Sequence, residues 1–152
     1  MAENSIREAI LASLEDAMRK VALAKTITRT WPSFAAMENF SETEFPVIAV
    51  VGGLPDPAEY KRSSRRKAGV EWFRSILKVS IFLYDRSTTA TCDTRLSDLA
   101  DEVWKKFWLE PTFGGHVEEC SASFPELPET IDPYIASRMS VSLKYLHTTG
   151  GI

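Results

Sequence analysis

Residues 70–85 read VEWFRSILKVSIFLYD and contain the longest strand that the sequence predicts. Apolar side chains alternate along this stretch, as they do in a strand that buries one face. The face expected in the core holds Phe73, Leu77, Val79, Ile81 and Leu83. The opposite face holds Trp72, Arg74, Ile76, Lys78, Phe82 and Tyr84. Aromatic residues and Arg are enriched at subunit interfaces, so this second face fits either an interface or a second packing layer.

Two amphipathic helices are predicted on either side of this strand in the sequence. The first spans about 4–24, where Ser5 and Glu8 fit a capping box. The second spans about 93–109 and carries apolar residues at helical spacing. Its stripe consists of Leu96, Leu99, Ala100, Val103, Trp104, Phe107 and Trp108. We expect each helix to bury its apolar stripe against the sheet.

Four further strands are predicted, at 25–30, 45–51, 116–124 and 134–147. The order of elements is then α-β-β-β-α-β-β. Consecutive strands on short connections pair antiparallel, and two amphipathic helices can cover one sheet face. The sequence therefore predicts a two-layer α+β fold with a mostly antiparallel sheet. A long loop at 54–69 and a mobile tail at 148–152 complete a single domain, 1–152.

Length and composition exclude several classes of protein. The chain has 152 residues, 44% apolar and 26% charged, close to the average of globular domains. No apolar run approaches the roughly 18 residues that a membrane-spanning helix needs. The first ten residues carry two Glu and one Arg, so no secretory signal is expected. We expect the protein to be made and assembled in the cytoplasm.

Positive charge is concentrated in one short segment. The formal net charge is −3, but the segment Lys61–Lys67 holds five basic residues in seven. The remaining chain has 13 basic and 21 acidic residues, a net charge of −8. Three interpretations stay open for this segment. It is a solvated loop, a weak and salt-sensitive contact to nucleic-acid phosphates, or a contact to an acidic partner or a neighbouring copy.

Motifs that carry chemistry are missing from the sequence. There is no dinucleotide fingerprint, Walker loop, zinc-protease motif or nucleophile elbow. His116 and Glu118 share a strand face but have no obvious third ligand, so no metal site is expected. Cys92 and Cys120 lack the spacing of a redox or zinc motif. Free thiols are the expected state, and a disulfide between them stays open. The sequence therefore predicts no enzyme and no cofactor.

A set of weak motifs, in a fixed order, resembles one family. It begins with the helix sequence Ile6-Arg7-Glu8-Ala9-Ile10 and a strand Phe45-Pro46-Val47-Ile48-Ala49-Val50. A strong strand Leu77-Lys78-Val79-Ser80-Ile81-Phe82-Leu83-Tyr84 follows. Next comes Glu110-Pro111-Thr112-Phe113-Gly114-Gly115-His116-Val117, and a final strand runs from Tyr134 to Leu146. The chain resembles the tail-terminator, or tail-completion, proteins of long-tailed bacteriophages. The turn resembles their Asp-Pro-Thr-Leu-Gly-Gly pattern, from which Glu110 and Phe113 depart.

The resemblance implies a structural role in the virion. Such proteins form a ring, expected to be a hexamer, on the head-proximal end of the tail tube. The ring stops tube polymerisation and provides the surface that joins the tail to the head. The implied partners are the tail tube protein, the head–tail connector protein and DNA that passes through the lumen without specific binding. The implied location is the virion tail.

Eight residues are our candidates for these contacts, chosen by their chemistry. They are Lys61, Arg62, Arg65, Arg66, Lys67, Trp72, Arg74 and Phe82. Two other functions stay open beside the terminator. One is a different neck or head–tail connector protein of the same particle, and the other is a small ligand-binding α+β domain. A DNA-binding accessory protein would use the same basic segment, but the acidic remainder of the chain opposes it.

Overall fold

A long two-stranded ribbon forms the centre of the fold. The computed structural model describes residues 6–29, 40, 44–52, 61–67, 70–86, 92–109, 113, 115, 117–123, 129–131 and 133–148, with 61–67, 70–74, 92, 131 and 146–148 described by their backbone. Strand β4 (Val70–Arg86) pairs antiparallel with strand β7 (Tyr134–Thr148), from Trp72 opposite Thr148 to Arg86 opposite Tyr134. At about 3.4 Å per residue this ribbon is about 50 Å long.

Two short strands lie end to end along each edge of the ribbon. On the free edge of β4, β2 (Val47–Gly52) pairs with positions 79–84 and β3 (Lys61–Lys67) pairs with positions 70–74. On the free edge of β7, β5 (Glu119–Ala122) and β6 (Glu129–Ile131) both pair antiparallel. Strand β1 (Thr26–Thr28) adds to β2 in parallel. The described sheet thus has seven strands in a mixed arrangement.

Both helices cover the same face of this sheet. Helix α1 (Ile6–Arg19) and helix α2 (Cys92–Leu109) bury their apolar stripes against alternate residues of β2, β4 and β7. The sheet residues of this core include Ile48, Val50, Leu77, Val79, Ile81, Leu83, Met139, Val141, Leu143 and Tyr145. The predicted α+β class and the placement of both helices on one face are therefore confirmed, and the predicted elements occur in the predicted order, with β3 and β6 as additional strands.

Helix α1 approaches the end of β2 closely. A Cβ atom added at Gly52 would lie 2.7 Å from Cδ2 of Leu11, a fully buried side chain of α1. The guanidinium of Arg7 donates a hydrogen bond to the carbonyl of Gly52, at 3.3 Å. Glycine at the end of β2 therefore allows the first helix to pack directly on the strand. None of the described helices is long and apolar enough to cross a membrane.

The opposite sheet face holds a second, smaller core. Its buried residues are Phe45, Val47, Ala49, Phe82, Tyr84 and Tyr134. The ring of Phe82 stacks on Tyr84 at a centroid distance of 6.2 Å, and Phe45 stacks on Tyr134 at 6.1 Å. Phe40 and Val51 pack against this cluster. The face of β4 that carries Phe82 and Tyr84 therefore forms part of a second packing layer, as one of the two interpretations of this face predicted.

The predicted loop at 54–69 is wrong for the segment Lys61–Lys67. These residues form β3 and pair with β4, with Lys67 opposite Val70 and Lys61 opposite Arg74. The physical reason lies in β4, which continues past the end of β2 and offers unpaired backbone groups there. A strand that satisfies those groups is favoured even where its side chains show no apolar alternation. Strand β6 is also additional to the prediction, and the predicted tail beyond residue 148 lies outside the described residues.

Candidate interaction surface

The β3–β4 hairpin brings seven of the eight candidate residues together. The register places Lys61 opposite Arg74 and Arg66 opposite Glu71, with an irregularity between Arg62 and Arg66. Trp72 occupies the β4 position opposite Thr148, two residues before Arg74, so these two positions share one face of the strand. One hairpin therefore unites the basic segment with Trp72 and Arg74, two candidates that the sequence assigned to a different element.

This hairpin is strongly basic, whereas the rest of the chain is acidic. Residues 61–74 contain six basic residues and one Glu, a net charge of +5, so the rest of the chain carries −8. Within the described part of the sheet, β3 pairs only with β4. Strand β3 is therefore a strongly basic edge strand, and its outer backbone groups face away from the sheet. A charged edge of this kind resists pairing with an identical edge.

Phe82 is separated from the other candidates. It is 9% exposed and stacks on Tyr84 in the second core. The ring of Phe82 is therefore not part of an exposed contact surface in the isolated subunit. The alternation of β4 correctly placed Phe82 away from the helices, but it could not show that Phe45 and its neighbours cover that end of the face.

The opposite edge of the sheet carries the opposite charge. Strands β5 and β6 lie on the far side of β7, and β5 pairs only with β7 among the described strands. Along this edge, residues 117–123 and 129–131 include Glu118, Glu119 and Glu129, all exposed, and no Lys or Arg. The carboxylate of Glu119 forms an ion pair of 3.2 Å with Lys144 of β7. The sheet therefore has the basic strand β3 on one edge and this acidic edge on the other.

An aromatic groove lies beside the acidic edge. It encloses about 360 Å³ and is lined by Trp104, Phe107, Trp108, Cys120, Ser121 and Ala122. The indole rings of Trp104 and Trp108 are 5.2 Å apart. Trp108 is 68% exposed and Leu109 is 77% exposed. The groove therefore joins the end of α2 to the edge strand β5.

The prediction that Trp108 belongs to the core is wrong. From Leu96 to Phe107 the helical stripe is buried except for the partly buried Trp104, whereas Trp108, near the end of α2, is largely exposed. Strand β5, which lines the groove beside this last turn, has four residues, Glu119–Ala122. Among the described residues, none covers the final indole, which stays largely exposed.

Cys120, which lines the groove, is a free thiol. The alternative of a disulfide to Cys92 is therefore not realised. Burial raises the pKa of the Cys120 thiol to about 11, which keeps it protonated at neutral pH and unreactive as a nucleophile. His116 lies outside the described residues. Within the described ranges, no group of three His, Cys, Asp or Glu residues is placed to hold a metal ion.

A buried charge cluster fixes the other end of α2. Asp85 is fully buried, and its Oδ2 lies 3.2 Å from Nε of Arg95. Arg95 also donates a hydrogen bond to the carbonyl of Phe45, at 3.1 Å, and the amide of Arg86 donates to Oδ1 of Asp85. This arrangement joins β4, α2 and the residues just before β2. Each of these links is internal to the subunit, so the cluster supports the fold.

No family model matches the chain, and a search of curated proteins finds no significant match. The fold and surface define a two-layer α+β domain whose sheet has one basic edge and one acidic edge, with an aromatic groove beside the acidic edge.

Proposed function

We propose that the protein is a structural, non-enzymatic subunit that forms a ring and caps a bacteriophage tail tube as a tail terminator. The observation that carries this proposal is the separation of charge between the two edges of the sheet. The basic strand β3 and the carboxylates of β5 and β6 lie on opposite sides of the β4–β7 ribbon. Ring assembly requires two different, complementary surfaces on one subunit.

The charge pattern favours one mode of association over another. Pairing of two β3 edges would place five basic residues against five others. Pairing of two β5 edges would place carboxylates against carboxylates. Both arrangements are repulsive. A β3 edge and a β5 edge bring unlike charges together. Association is therefore head-to-tail, and head-to-tail contacts close into a ring or continue as a filament.

The tail-specific part of the proposal rests on the resemblance of the motifs. The ring, expected to be a hexamer, binds the tail tube protein on one side and the head–tail connector protein on the other, and DNA passes through its lumen. A neck or connector protein of the same particle is the second candidate. It shares the head-to-tail charge pattern, and it differs in being absent from isolated tails that lack heads.

The test is a capping assay with purified tail tubes from the phage that encodes the chain. Purified protein is added to tubes and to free tube subunits, and the ends are imaged by negative-stain electron microscopy. We expect a ring at one end of each tube and an arrest of elongation. Tubes that continue to elongate with bare ends would overturn the terminator, whereas binding to isolated heads alone would favour the connector.

A further inference from the structure

We propose that the groove of Trp104, Phe107 and Trp108, with the adjoining edge of β5, binds strand β3 of a second copy of this chain. The inference deepens the proposed function and rests on it, because it assigns the two surfaces that meet between neighbouring subunits of the ring.

The free edge of β5 supplies the first part of this site. Among the described strands, β5 pairs with β7 alone, so its outer N–H and C=O groups point away from the sheet. An extended segment can add to such an edge through main-chain hydrogen bonds. Residues Cys120, Ser121 and Ala122 of the same strand line the groove. A strand added to β5 therefore lies directly beside the two indoles.

The aromatic groove supplies the second part, and its chemistry selects a cation. Trp108 is 68% exposed and lies 5.2 Å from the ring of Trp104. Guanidinium groups bind favourably to the faces of Trp rings, each contact contributing about 0.5–1 kcal/mol at exposed sites. Glu118 and Glu119 are exposed at the start of β5, and Glu119 also forms an ion pair with Lys144 at 3.2 Å, so these three side chains carry a formal net charge of −1. An anionic segment is disfavoured at this position.

Strand β3 has the properties that this site requires. It is already extended, it contains Arg62, Arg65 and Arg66, and its outer edge is unpaired among the described strands. The β3 strand of the same subunit is separated from the groove by β4 and β7. The occupant must therefore come from another copy, and each subunit gives its β3 to one neighbour and receives β3 from the other.

The test uses site-directed cross-linking of the full chain. In a background with Cys92→Ser and Cys120→Ser, one variant carries Ser64→Cys in β3 and another carries Ser121→Cys in β5. A short bis-maleimide is added to each variant and to their mixture. We expect a cross-linked dimer only in the mixture, and a ladder of linked copies when both substitutions are in one chain. Efficient cross-linking of either variant alone would overturn the proposal, as would a mixture that stays uncross-linked.

The indole contribution is tested separately from the strand pairing. We expect Trp108→Leu, which keeps apolar area but removes the aromatic face, to weaken self-association about fivefold. Trp108→Phe should weaken it less, and Leu23→Ala, an exposed apolar control on another surface, should leave it unchanged. Equal effects of Trp108→Leu and Leu23→Ala would remove the groove from the interface.

The outcomes separate this inference from the proposed function. If the protein forms cross-linked β3–β5 dimers but does not cap tubes, the terminator function is overturned and the proposed interface is still supported. Rings that cap tubes but do not cross-link between Ser64→Cys and Ser121→Cys would overturn the interface and leave the function.

Discussion

Asp85 and Arg95 form an ion pair of 3.2 Å that joins the end of the longest strand to the first turns of α2. The carboxylate is fully buried, while the guanidinium is about one-third exposed. Arg95 also binds the carbonyl of Phe45, which belongs to the second core on the other face of the sheet. One side chain thus links both cores of the domain.

Removal of Arg95 should therefore destabilise the fold. Arg95→Met leaves a buried carboxylate without its cation, and we expect a loss of about 2 kcal/mol in the free energy of unfolding, at the low end for buried pairs because Arg95 is partly exposed. The measurement is urea unfolding at pH 7. Arg19→Met, which breaks an exposed pair with Glu15 at 3.1 Å, is the matched control and should cost less than about 0.5 kcal/mol. Equal losses would contradict this role.

The buried hydroxyl of Tyr84 should make the protein sensitive to alkali. Burial raises the pKa of Tyr84 from 10.0 to about 12, so the unfolded chain loses this proton at lower pH than the folded chain. Stability is therefore full below pH 10 and falls as pH rises from 10 towards 12. Tyr84→Phe should reduce this fall. Its stability at pH 7 should be unchanged or slightly higher, because the hydroxyl oxygen has no hydrogen-bond partner in the described structure. An unchanged alkaline slope would contradict the assignment.

The contact between Gly52 and Leu11 should not accept a methyl group. The added Cβ would lie 2.7 Å from a fully buried side chain, so we expect Gly52→Ala to cost about 1–3 kcal/mol by overpacking. Leu11→Ala alone removes buried volume and also destabilises. The double variant should be more stable than the sum of the single effects predicts, which a double-mutant cycle measures. Strict additivity would show that the two positions do not meet.

Cys120 should react slowly with alkylating reagents while the protein is folded. Its pKa is raised to about 11 by burial, so little thiolate exists at pH 8, whereas an unperturbed thiol of pKa about 8.5 is partly ionised. We expect iodoacetamide to modify Cys120 at least tenfold faster in urea than in buffer, measured by mass spectrometry of the peptide. Equal rates in the two conditions would contradict the burial of this thiol.

The sequence predicted the elements whose signal is local. Alternation along β4 correctly separated the core residues Leu77, Val79 and Ile81 from the opposite face. The extent of β3 was not predictable in this way, because its pairing depends on unpaired backbone groups of β4 that no local pattern reveals.

The candidate surface was predictable in composition but not in arrangement. The basic segment and the pair Trp72 and Arg74 were recognised from residue type, and the register of the hairpin then joined them. The burial of Phe82 and the exposure of Trp108 were both missed. Each depends on whether other residues cover the side chain, as Phe45 and its neighbours cover Phe82, and periodicity carries no information about that.

The most direct test of head-to-tail association is sedimentation of charge-reversed variants, alone and mixed. One variant carries Arg65→Glu and Arg66→Glu, which lowers the formal charge of Lys61–Lys67 from +5 to +1, and the other carries Glu118→Lys and Glu119→Lys, which makes the β5 edge basic. Lys20→Glu with Lys25→Glu, at exposed positions away from β3, controls for net charge. We predict that each edge variant alone sediments as a monomer at concentrations where the parent protein and the control associate, and that the mixture associates again. Two edge variants that associate as the parent does, or a mixture that stays monomeric, would contradict the account.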